Sequence, residues 1–530
     1  MSTAAPATAP RTLSLEDVET TLNLIDDRFY AYGLSALLVT VGLYFTVRTR
    51  GVQLRHLGTM IRSITGSRSG AQGGISSFQA FAVGLAARVG IGNVAGVALA
   101  IVFGGPGALF WMWVVAIIGM ATAFVESTLA QIFKERGRDF TFQGGPAYYI
   151  KNGLGSRAWG AVFAGLCIVS VGVTVVMVQT NSLASVINAT VPEVAPWMVG
   201  VALVLLTAPI VLGGLKSVAR VTEVVAPLMA LAYVLVALVV LLINIGELPR
   251  VLSQIVHGAF GADQALFGTA GGITAAVLNG VRRGLFSNEA GLGTVPNAAG
   301  TATVAHPVRQ GLIQSFGVFV DTILVCTATG LIILLTTDAY RPGDEGLAGA
   351  VLTQQAVVEH LGTWTTWPMV VLIFVLVLST VLGCYSYSQV NVNFLGGERR
   401  AEQLFGVVLT AAAFAGVGKA ASAAKGAVES AGAAAKGATS ASKGTLSTIV
   451  SRVKGGAGKA NDFLGYPGKL VGDAFKASAA WNATRTVTRA TIREVAKKSA
   501  NDALRHDINV LVDRVTRGKT DRNLLDSLTV

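Results

Sequence analysis

Two apolar stretches of the chain are interrupted near their centres by glycine and polar residues. The first, residues 75–96, contains Arg88, Gly90, Gly92 and Asn93 in a run that is otherwise apolar enough to cross a bilayer. A helix that unwinds at Gly90–Gly92 frees backbone N–H and C=O groups, which a membrane tolerates only where they line a cavity. Freed N–H groups offer a partly positive site for a carboxylate, and freed carbonyls coordinate a cation or an ammonium group.

The second interrupted stretch is residues 279–293, which carries Arg282, Arg283, Asn288 and Glu289 among its glycines. Glycines in a membrane helix can also serve only as small packing residues. For either stretch alone, that interpretation is about as well supported as an unwound helix. Two interrupted spans five helices apart favour the unwound form, because this arrangement is typical of inverted-repeat carriers.

Further polar residues lie inside apolar stretches, where a central Arg or Asp costs about 2.5–3.5 kcal/mol on insertion scales. We expect Arg88 and either Glu289 or Asp321 to neutralise one another, which is a structural role. Glu126 is equally consistent with a position at the inner interface, and the amides are better candidates for substrate contact. The set comprises Gln79, Arg88, Asn93, Glu126, Gln179, Asn181, Asn288, Glu289 and Asp321.

Two adjacent hydroxyl groups, on Ser379 and Thr380, fall late in the last long apolar run. Such side chains often bond back to the carbonyl oxygen four residues earlier. If they instead face the carbonyls of an unwound helix, they complete an all-oxygen cage that suits a hard cation.

The composition is that of a membrane protein. Of the 530 residues, 52% are hydrophobic and only 13% charged, and the mean hydropathy is +0.60. Soluble chains carry about a quarter charged residues. Runs long enough to span a bilayer predict about nine helices. These lie near residues 31–47, 80–103, 108–133, 159–185, 197–213, 221–245, 268–290, 307–336 and 366–388.

Other chemistries find no support in the sequence. Cys167, Cys326 and Cys384 lie in apolar runs without a CxxC pair, so they are predicted to be buried thiols rather than disulfides or metal ligands. The chain lacks the P-loop, zinc-protease and nucleophile-elbow motifs, which argues against a nucleotide-driven pump or a hydrolase. An enzyme and a nucleic-acid partner are therefore not expected.

Lys and Arg in the short loops predict the orientation. The loop after the first span carries five arginines, and the next loops on that side hold further Lys and Arg, whereas the opposite loops hold little beyond Arg250 and Arg341. We therefore expect the N-terminus outside and the C-terminus in the cytoplasm of a bacterial, multi-pass membrane protein.

Most of the net charge of +12 belongs to the C-terminal tail, because residues 419–530 hold 19 Lys and Arg against 9 Asp and Glu. We divide the chain into a polar segment (1–30), a transmembrane domain (31–400), a short apolar stretch with an Ala/Gly/Ser/Lys-rich linker (401–460), and a basic amphipathic helical tail (461–530). Within the tail, residues 484–517 have the spacing of helices that lie on anionic lipid. A solvated tail is an equally good interpretation.

Five long motifs, in order along residues 30–397, resemble the alanine or glycine:cation symporter family. They are Ile75–Gly96, Gly104–Trp113, Gly144–Tyr149, Gly284–Gly293 and Asp321–Cys326. The resemblance implies an all-α, leucine-transporter-like inverted-repeat core with one extra N-terminal helix. It also implies Na⁺ as the coupling ion, with H⁺ in some members, and alanine or glycine as the substrate.

The resemblance further implies roles for individual residues. The N–H groups of Ile91 and Gly92 would hold the substrate carboxylate, and the Arg88 carbonyl its ammonium group, around Gly90. The remaining implied substrate-site residues are Gln79, Gln179, Asn279 and Gly280. The implied cation-site residues are Ala86, Val89, Asn93, Ser379 and Thr380.

One departure from the family pattern concerns the end of the transporter domain. The resemblance implies two further core helices after residue 397, where this sequence has a short apolar stretch and the basic tail. The sequence therefore leaves two hypotheses. One is a sodium-coupled symporter that works by alternating access; the other is a truncated or fused, non-transporting membrane protein that displays a basic interaction tail.

Overall fold

The computed structural model describes residues 29–65, 74–137, 141–260, 272–337, 339–340, 349–397 and 399–417. All of them belong to the first of two units into which the chain divides, Met1–Val428 and Glu429–Val530. The predicted tail (461–530), nearly all of the predicted N-terminal segment (1–30) and the linker beyond residue 417 therefore lie outside the described residues.

The first half of the described chain contains twelve α-helices, three π-helical segments and one small sheet. The α-helices are α1 (Ser35–Arg48), α2 (Val52–Arg55), α3 (Leu57–Thr65), α4 (Ser77–Arg88), α5 (Val97–Gly104), α6 (Gly107–Ile132), α7 (Pro146–Gly153), α8 (Arg157–Val169), α9 (Val176–Thr190), α10 (Pro196–Leu212), α11 (Gly214–Ile243) and α12 (Leu248–Ala259). The π-helical segments are Phe29–Leu34, Gly92–Gly96 and Ser170–Val175. The strands β1 (Glu135–Arg136) and β2 (Phe142–Gln143) pair antiparallel, Glu135 with Gln143 and Arg136 with Phe142.

The second half contains seven more α-helices among the residues that the structure describes. They are α13 (Gly272–Asn288), α14 (Val295–Thr301), α15 (Pro307–Val318), α16 (Thr327–Leu334), α17 (Gly349–Leu361), α18 (Thr366–Phe394) and α19 (Arg399–Val417). A π-helical segment, Phe319–Cys326, joins α15 to α16, and a 3₁₀ turn, Thr363–Thr365, precedes α18. The fold is therefore helical throughout apart from the two short strands, as the sequence predicts.

Five described helical segments are long and apolar enough to cross a bilayer. They are Gly107–Ile132, Arg157–Thr190, Gly214–Ile243, Pro307–Leu334 and Thr363–Phe394. The bent pair Ser77–Arg88 and Gly92–Gly104 makes a sixth if it counts as one span. The other three predicted spans coincide with the shorter helices α1, α10 and α13, of 14, 17 and 17 residues. Length and composition thus support a multi-pass membrane protein with five or six spans, fewer than the nine predicted.

The outer surface of the bundle is apolar. On α10 and α11, Leu205, Leu228, Leu235 and Leu242 each leave half or more of their surface exposed. A soluble protein rarely exposes so continuous an apolar surface, whereas lipid tails solvate it. Exposed tryptophans lie near helix ends, where aromatic belts meet the interface; they are Trp159, Trp197, Trp364 and Trp367.

The chain continues into the bundle after α18, where the sequence shows a short apolar stretch. Helix α19 has nineteen residues and packs against α9 and α10. Leu409 and Ala413 are completely buried, and the Phe405 ring stacks on Tyr385 with centroids 6.4 Å apart. Small residues such as Gly416 bring α19 close to the α9 backbone at Met177. The apolar stretch after residue 400 is therefore a packed helix of the domain.

The C-terminal end of α14 is fixed to the region just after α6. The Lys134 ammonium group donates to the Ala302 carbonyl and to Gln131 Oε1, both at 2.7 Å, and Gln131 Nε2 donates to the Ala299 carbonyl. Burial lowers the pKa of Lys134 to about 8. These contacts satisfy carbonyls that the end of a helix leaves without partners.

Close packing at the C-terminal end of α14 predicts that a substitution there lowers the stability of the protein. A Cβ added to Gly300 would overlap the Cα and carbonyl carbon of Gly144, and neither backbone can yield as a flexible side chain would. We expect Gly300→Ala to destabilise the protein by about 1–3 kcal/mol, measured as a lower midpoint of thermal unfolding in detergent. Gly246→Ala is the matched control, since its Cβ would meet no atom within 4 Å. Equal midpoints for both variants would contradict the packing.

Candidate functional site

The first broken helix, α4 with α5, has its interruption where the sequence predicts it. Ser76 and Gln79 form a reciprocal capping box that starts α4. The helix ends at Arg88 because Val89, at ψ +89°, leaves the helical conformation, and Val89 and Gly90 are non-helical. The two halves, Ser77–Arg88 and Gly92–Gly104, differ in direction by 47°. The predicted interruption of this helix is confirmed.

The second broken helix, α13 with α14, is interrupted later than the centre of its predicted segment. Residues 279–288 are helical, and the break occupies Glu289 to Thr294. Gly291 and Gly293 have φ of +86° and +74°, which glycine adopts freely, but Glu289 has φ of +56°. A non-glycine residue in this conformation stores about 1–3 kcal/mol of strain and often marks a functional position.

The two broken helices meet at a buried polar cluster around Asp321. Asp321 Oδ1 accepts a hydrogen bond of 2.6 Å from Asn93 Nδ2, and Oδ2 accepts from Ser287 at 3.0 Å and from Thr322 at 2.7 Å. Asn93 and Asp321 each lie in a π-helical segment, Gly92–Gly96 and Phe319–Cys326. Since π-helical turns within α-helices are frequent at functional sites, this contact makes the cluster a candidate site.

Side-chain amides satisfy the backbone N–H groups of the first break. Gly90 N–H donates to Asn93 Oδ1 at 3.0 Å, and Ile91 N–H donates to Gln179 Oε1 at 2.8 Å. Of the two donors that the resemblance assigns to a carboxylate, Ile91 N–H therefore already holds an acceptor. A ligand carboxylate at Ile91 would replace the Gln179 amide oxygen.

The predicted cation-site residues adjoin the same break. Thr380 Oγ1 lies 3.1 Å from the Ala86 carbonyl oxygen and 3.0 Å from that of Leu376. Ser379 Oγ donates to the Leu376 carbonyl at 2.8 Å and lies 3.0 Å from the Met229 sulfur. A hydroxyl that donates its proton to Leu376 keeps lone pairs on the oxygen for a cation. Back-bonding within α18 and cation binding are thus compatible.

Arg88 makes no direct ion pair with Glu289 or Asp321. Only 2% of Arg88 is exposed, and its Nη1 donates to the Gln314 carbonyl at 3.0 Å. Among the described residues its Nε and Nη2 atoms have no hydrogen-bond partner, and no carboxylate oxygen lies within 4.0 Å. The Asp321 oxygens are instead occupied by neutral donors, which a sequence cannot show.

Three predicted substrate-site residues lie away from the breaks. Gln79 is nine residues, or about 13 Å of helix, before Arg88, where Nε2 donates to Glu223 Oε2 at 2.9 Å. Asn279 Nδ2 donates to the Ala275 carbonyl at 3.0 Å. Gly280 faces α6 so closely that a Cβ would overlap the Ala108 carbonyl. The structure places Gln79 at the start of α4, and Asn279 and Gly280 at helix contacts.

Glu126 is buried beside the second break. Its Oε1 accepts a hydrogen bond of 3.3 Å from the backbone N–H of Gly291. Asn288 Oδ1 accepts from Ala290 N–H at 3.0 Å, and Thr294 Oγ1 donates to Glu289 Oε2 at 2.7 Å. These side chains supply the partners that the interrupted helix loses, so α6 stabilises the break from outside the broken helix.

Known proteins resemble the chain over most of this domain. The model of the sodium:alanine symporter family matches residues 15–429. The amino-acid carrier protein AlsT of Bacillus subtilis is 46% identical over 375 residues, 71% of this chain and 78% of that protein. The probable sodium/glutamine symporter GlnT of Bacillus subtilis is 44% identical over 384 residues, 72% and 79% of the two chains.

A third relative has lower sequence identity and is also named as a sodium-coupled symporter. The sodium/alanine symporter AgcS of Methanococcus maripaludis is 36% identical over 398 residues, 72% of this chain and 85% of that protein. The family match ends more than a hundred residues before the C-terminus, so the basic tail is unmatched. The chain belongs to the sodium:alanine symporter family, whose members are membrane transporters of amino acids and not enzymes.

Proposed function

We propose that the protein is a sodium-coupled symporter of alanine or glycine that works by alternating access. The observation that carries this proposal is the meeting of two interrupted helices at buried polar side chains, in a chain of the sodium:alanine symporter family. Main-chain dipoles at such breaks bind a zwitterion and a cation side by side. The name of AgcS supports alanine, and that of GlnT supports an amino acid with a longer side chain.

The proposed substrate site is the first break. The carboxylate binds the Ile91 and Gly92 N–H groups in place of the Gln179 amide oxygen, and the ammonium group binds the Arg88 carbonyl. The space for the substrate side chain is small, because a Cβ at Gly92 would already lie 3.7 Å from the Phe286 ring. A small side chain fits this space, in agreement with alanine or glycine.

Two proposed cation positions flank the substrate. One combines the carbonyls of Ala86 and Val89 with the hydroxyls of Ser379 and Thr380, which already approach one another within hydrogen-bond distance at Ala86 and Thr380. All four ligands are oxygens, the ligand type that hard cations take. The alternative coupling ion is a proton, which would bind to a carboxylate.

The second position is the cluster at Asp321, with Asn93 and Ser287. Asp321 supplies the negative charge that the first position lacks, and cation binding there would be strengthened by the low local dielectric constant. From the sequence, Asp321 was expected only as a counter-ion for Arg88. The overlooked signal is an acidic residue within a motif of the family.

We further propose that α4–α5 and α13–α14 begin two inverted five-helix repeats of a leucine-transporter-like core. Each broken helix is followed by a long helix, α6 or α15–α16, that packs beside it. On this assignment the described residues hold five helices of the first repeat and four of the second, since α19 is the helix after α18.

The role of Glu126 gives a prediction with two matched variants. Glu126→Gln keeps an oxygen acceptor for the Gly291 N–H, whereas Glu126→Ala leaves a partly buried donor without this partner, which costs up to about 3 kcal/mol. We expect the Ala variant to lose about 5- to 100-fold of the alanine uptake rate and the Gln variant several-fold less. Uptake at saturating sodium measures this. Identical losses in both variants would show that the charge, and not the hydrogen bond, matters.

Uptake of radiolabelled alanine into proteoliposomes tests the proposed function. We expect uptake above equilibrium with an inward sodium gradient, and only equilibration when choline replaces sodium. Glycine should compete strongly and glutamine weakly. Sodium-independent equilibration of alanine, or no uptake by a correctly inserted protein, would refute the proposal. The latter result would favour the non-transporting alternative, and deletion of residues 419–530 would then show whether the tail matters.

A further inference from the structure

One side of helix α13 faces α5, about one helical turn from the break of the first broken helix. Asn279 Nδ2 lies 3.4 Å from the Phe103 carbonyl, at the end of α5, and Phe286 lies beside Gly92. Arg283 falls between these two positions on the same side of the helix, one turn after Asn279. Because the two helices run in opposite directions, Arg283 lies at about the level of Gly96.

The space at this level is empty. Gly96 is buried, yet a Cβ added to it would meet no atom within 4 Å. Phe286, which lies beside Gly92, leaves 37% of its surface exposed. A buried glycine without neighbours and an exposed ring one turn away indicate a hollow between α5 and α13 that adjoins the proposed substrate site.

Arg283 has no counter-ion in the described part of the chain. Its guanidinium makes no hydrogen bond there, its Nε atom is buried without a partner, and no carboxylate oxygen lies within 4.0 Å. The ionisable groups that interact with it electrostatically are Arg282 and Tyr30, and neither is a carboxylate. Arg282 differs, because its guanidinium packs over the Tyr30 ring at 5.0 Å.

We propose that Arg283 is a first binding site for the carboxylate of the incoming amino acid, in the hollow between α5 and α13. A guanidinium presents a planar fork of donors that matches a carboxylate, and an unpaired one in a cavity of low dielectric constant attracts anions strongly. The hollow lies on the α5 side of the break, which the predicted orientation places toward the outside. The amino acid thus binds Arg283 before it moves one helical turn to the N–H groups of the first break.

This inference rests on the proposed function and predicts a specific kinetic pattern. A site that captures substrate before the final site raises the apparent affinity and on-rate without holding the transported state. Arg283→Gln should therefore raise the external alanine concentration for half-maximal uptake about tenfold, with the maximal rate within about twofold of wild type. Arg283→Lys, which keeps the charge and loses the fork, should fall between them.

Arg282→Gln is the matched control, because it removes the same charge from the adjacent residue. We expect its half-maximal concentration to stay within about twofold of wild type, in the same sodium-gradient proteoliposomes. Equal half-maximal concentrations for Arg283→Gln and Arg282→Gln would overturn the proposal, as would a loss confined to the maximal rate. Wild-type protein without sodium-driven uptake would instead refute the proposed function.

A lipid phosphate is the other anion that could neutralise Arg283. If it did, wild-type half-maximal concentrations would change when phosphatidylglycerol in the vesicles is replaced by phosphatidylcholine, and Arg283→Gln would abolish that change. We expect the wild-type value to be independent of this replacement. Dependence on anionic lipid that vanishes in Arg283→Gln would overturn the assignment to substrate.

Discussion

Asp321→Asn should lower sodium-driven alanine uptake by about 100-fold. The carboxylate holds Asn93, Ser287 and Thr322 at 2.6–3.0 Å and is completely buried. Removing a charged partner from such an arrangement costs about 1.5–3 kcal/mol per hydrogen bond, and each 1.4 kcal/mol is a factor of ten in affinity. The asparagine preserves the shape of the side chain, so the expected defect is in cation binding and in coupling.

The sodium dependence of the residual uptake identifies the defect. The sodium concentration for half-maximal uptake should rise at least tenfold in Asp321→Asn, while the chromatographic profile in detergent stays unchanged. Glu247→Gln is the control, since Glu247 forms an exposed ion pair with Arg250 at 2.6 Å and exposed pairs contribute little. A normal sodium dependence in Asp321→Asn would remove Asp321 from the cation site.

The same variant distinguishes sodium from proton coupling. If Asp321 carries a proton in each cycle, a pH gradient should drive wild-type uptake without sodium, and the asparagine should abolish this uptake. If it binds sodium, a pH gradient alone should drive neither protein. The two results cannot be confused, because each is measured with the other gradient absent.

The sequence allowed the first broken helix to be predicted almost to the residue. Gly90 and Gly92 interrupt an apolar run, and each glycine costs a continuous helix about 1 kcal/mol relative to alanine. The position of the second break was predicted less accurately. The predicted interrupted segment begins at residue 279, but residues 279–288 are helical. There, Gly280 and Gly284 serve the packing of α13 on α6, which was the alternative interpretation.

Contacts between distant segments could not be predicted. The hydrogen bond of Asn93 to Asp321 joins residues 228 positions apart, and the position of each depends on a π-helical segment that no local pattern announces. Likewise, the hydrogen bond of Gln79 to Glu223 joins residues 144 positions apart, and it depends on how the two helices pack. Resemblance supplied the site residues that touch the break, and the structure supplied their partners.

Two glycines in the first break are expected to respond very differently to the same substitution. A Cβ at Gly90 would overlap Thr380 Oγ1 and lie 3.2 Å from Gln179 Oε1. A Cβ at Gly92 would meet only the Phe286 ring at 3.7 Å and Ser287 Cα at 3.9 Å, which are ordinary contacts. Gly90→Ala should therefore displace two proposed binding groups, whereas Gly92→Ala should fit.

The expected effect of Gly90→Ala is a loss of about 10- to 100-fold in sodium-driven uptake, because overpacking costs about 1–3 kcal/mol. Gly92→Ala should retain uptake within about threefold, and Gly92→Leu should abolish it, since the larger side chain occupies the space beside Phe286. Each variant is compared at equal amounts of inserted protein. Uptake by Gly92→Leu equal to that of wild type would mean that substrate does not bind beside Gly92. Normal uptake by Gly90→Ala would mean that Thr380 and Gln179 need not keep their positions at the break, so the transport cycle would depend on other groups.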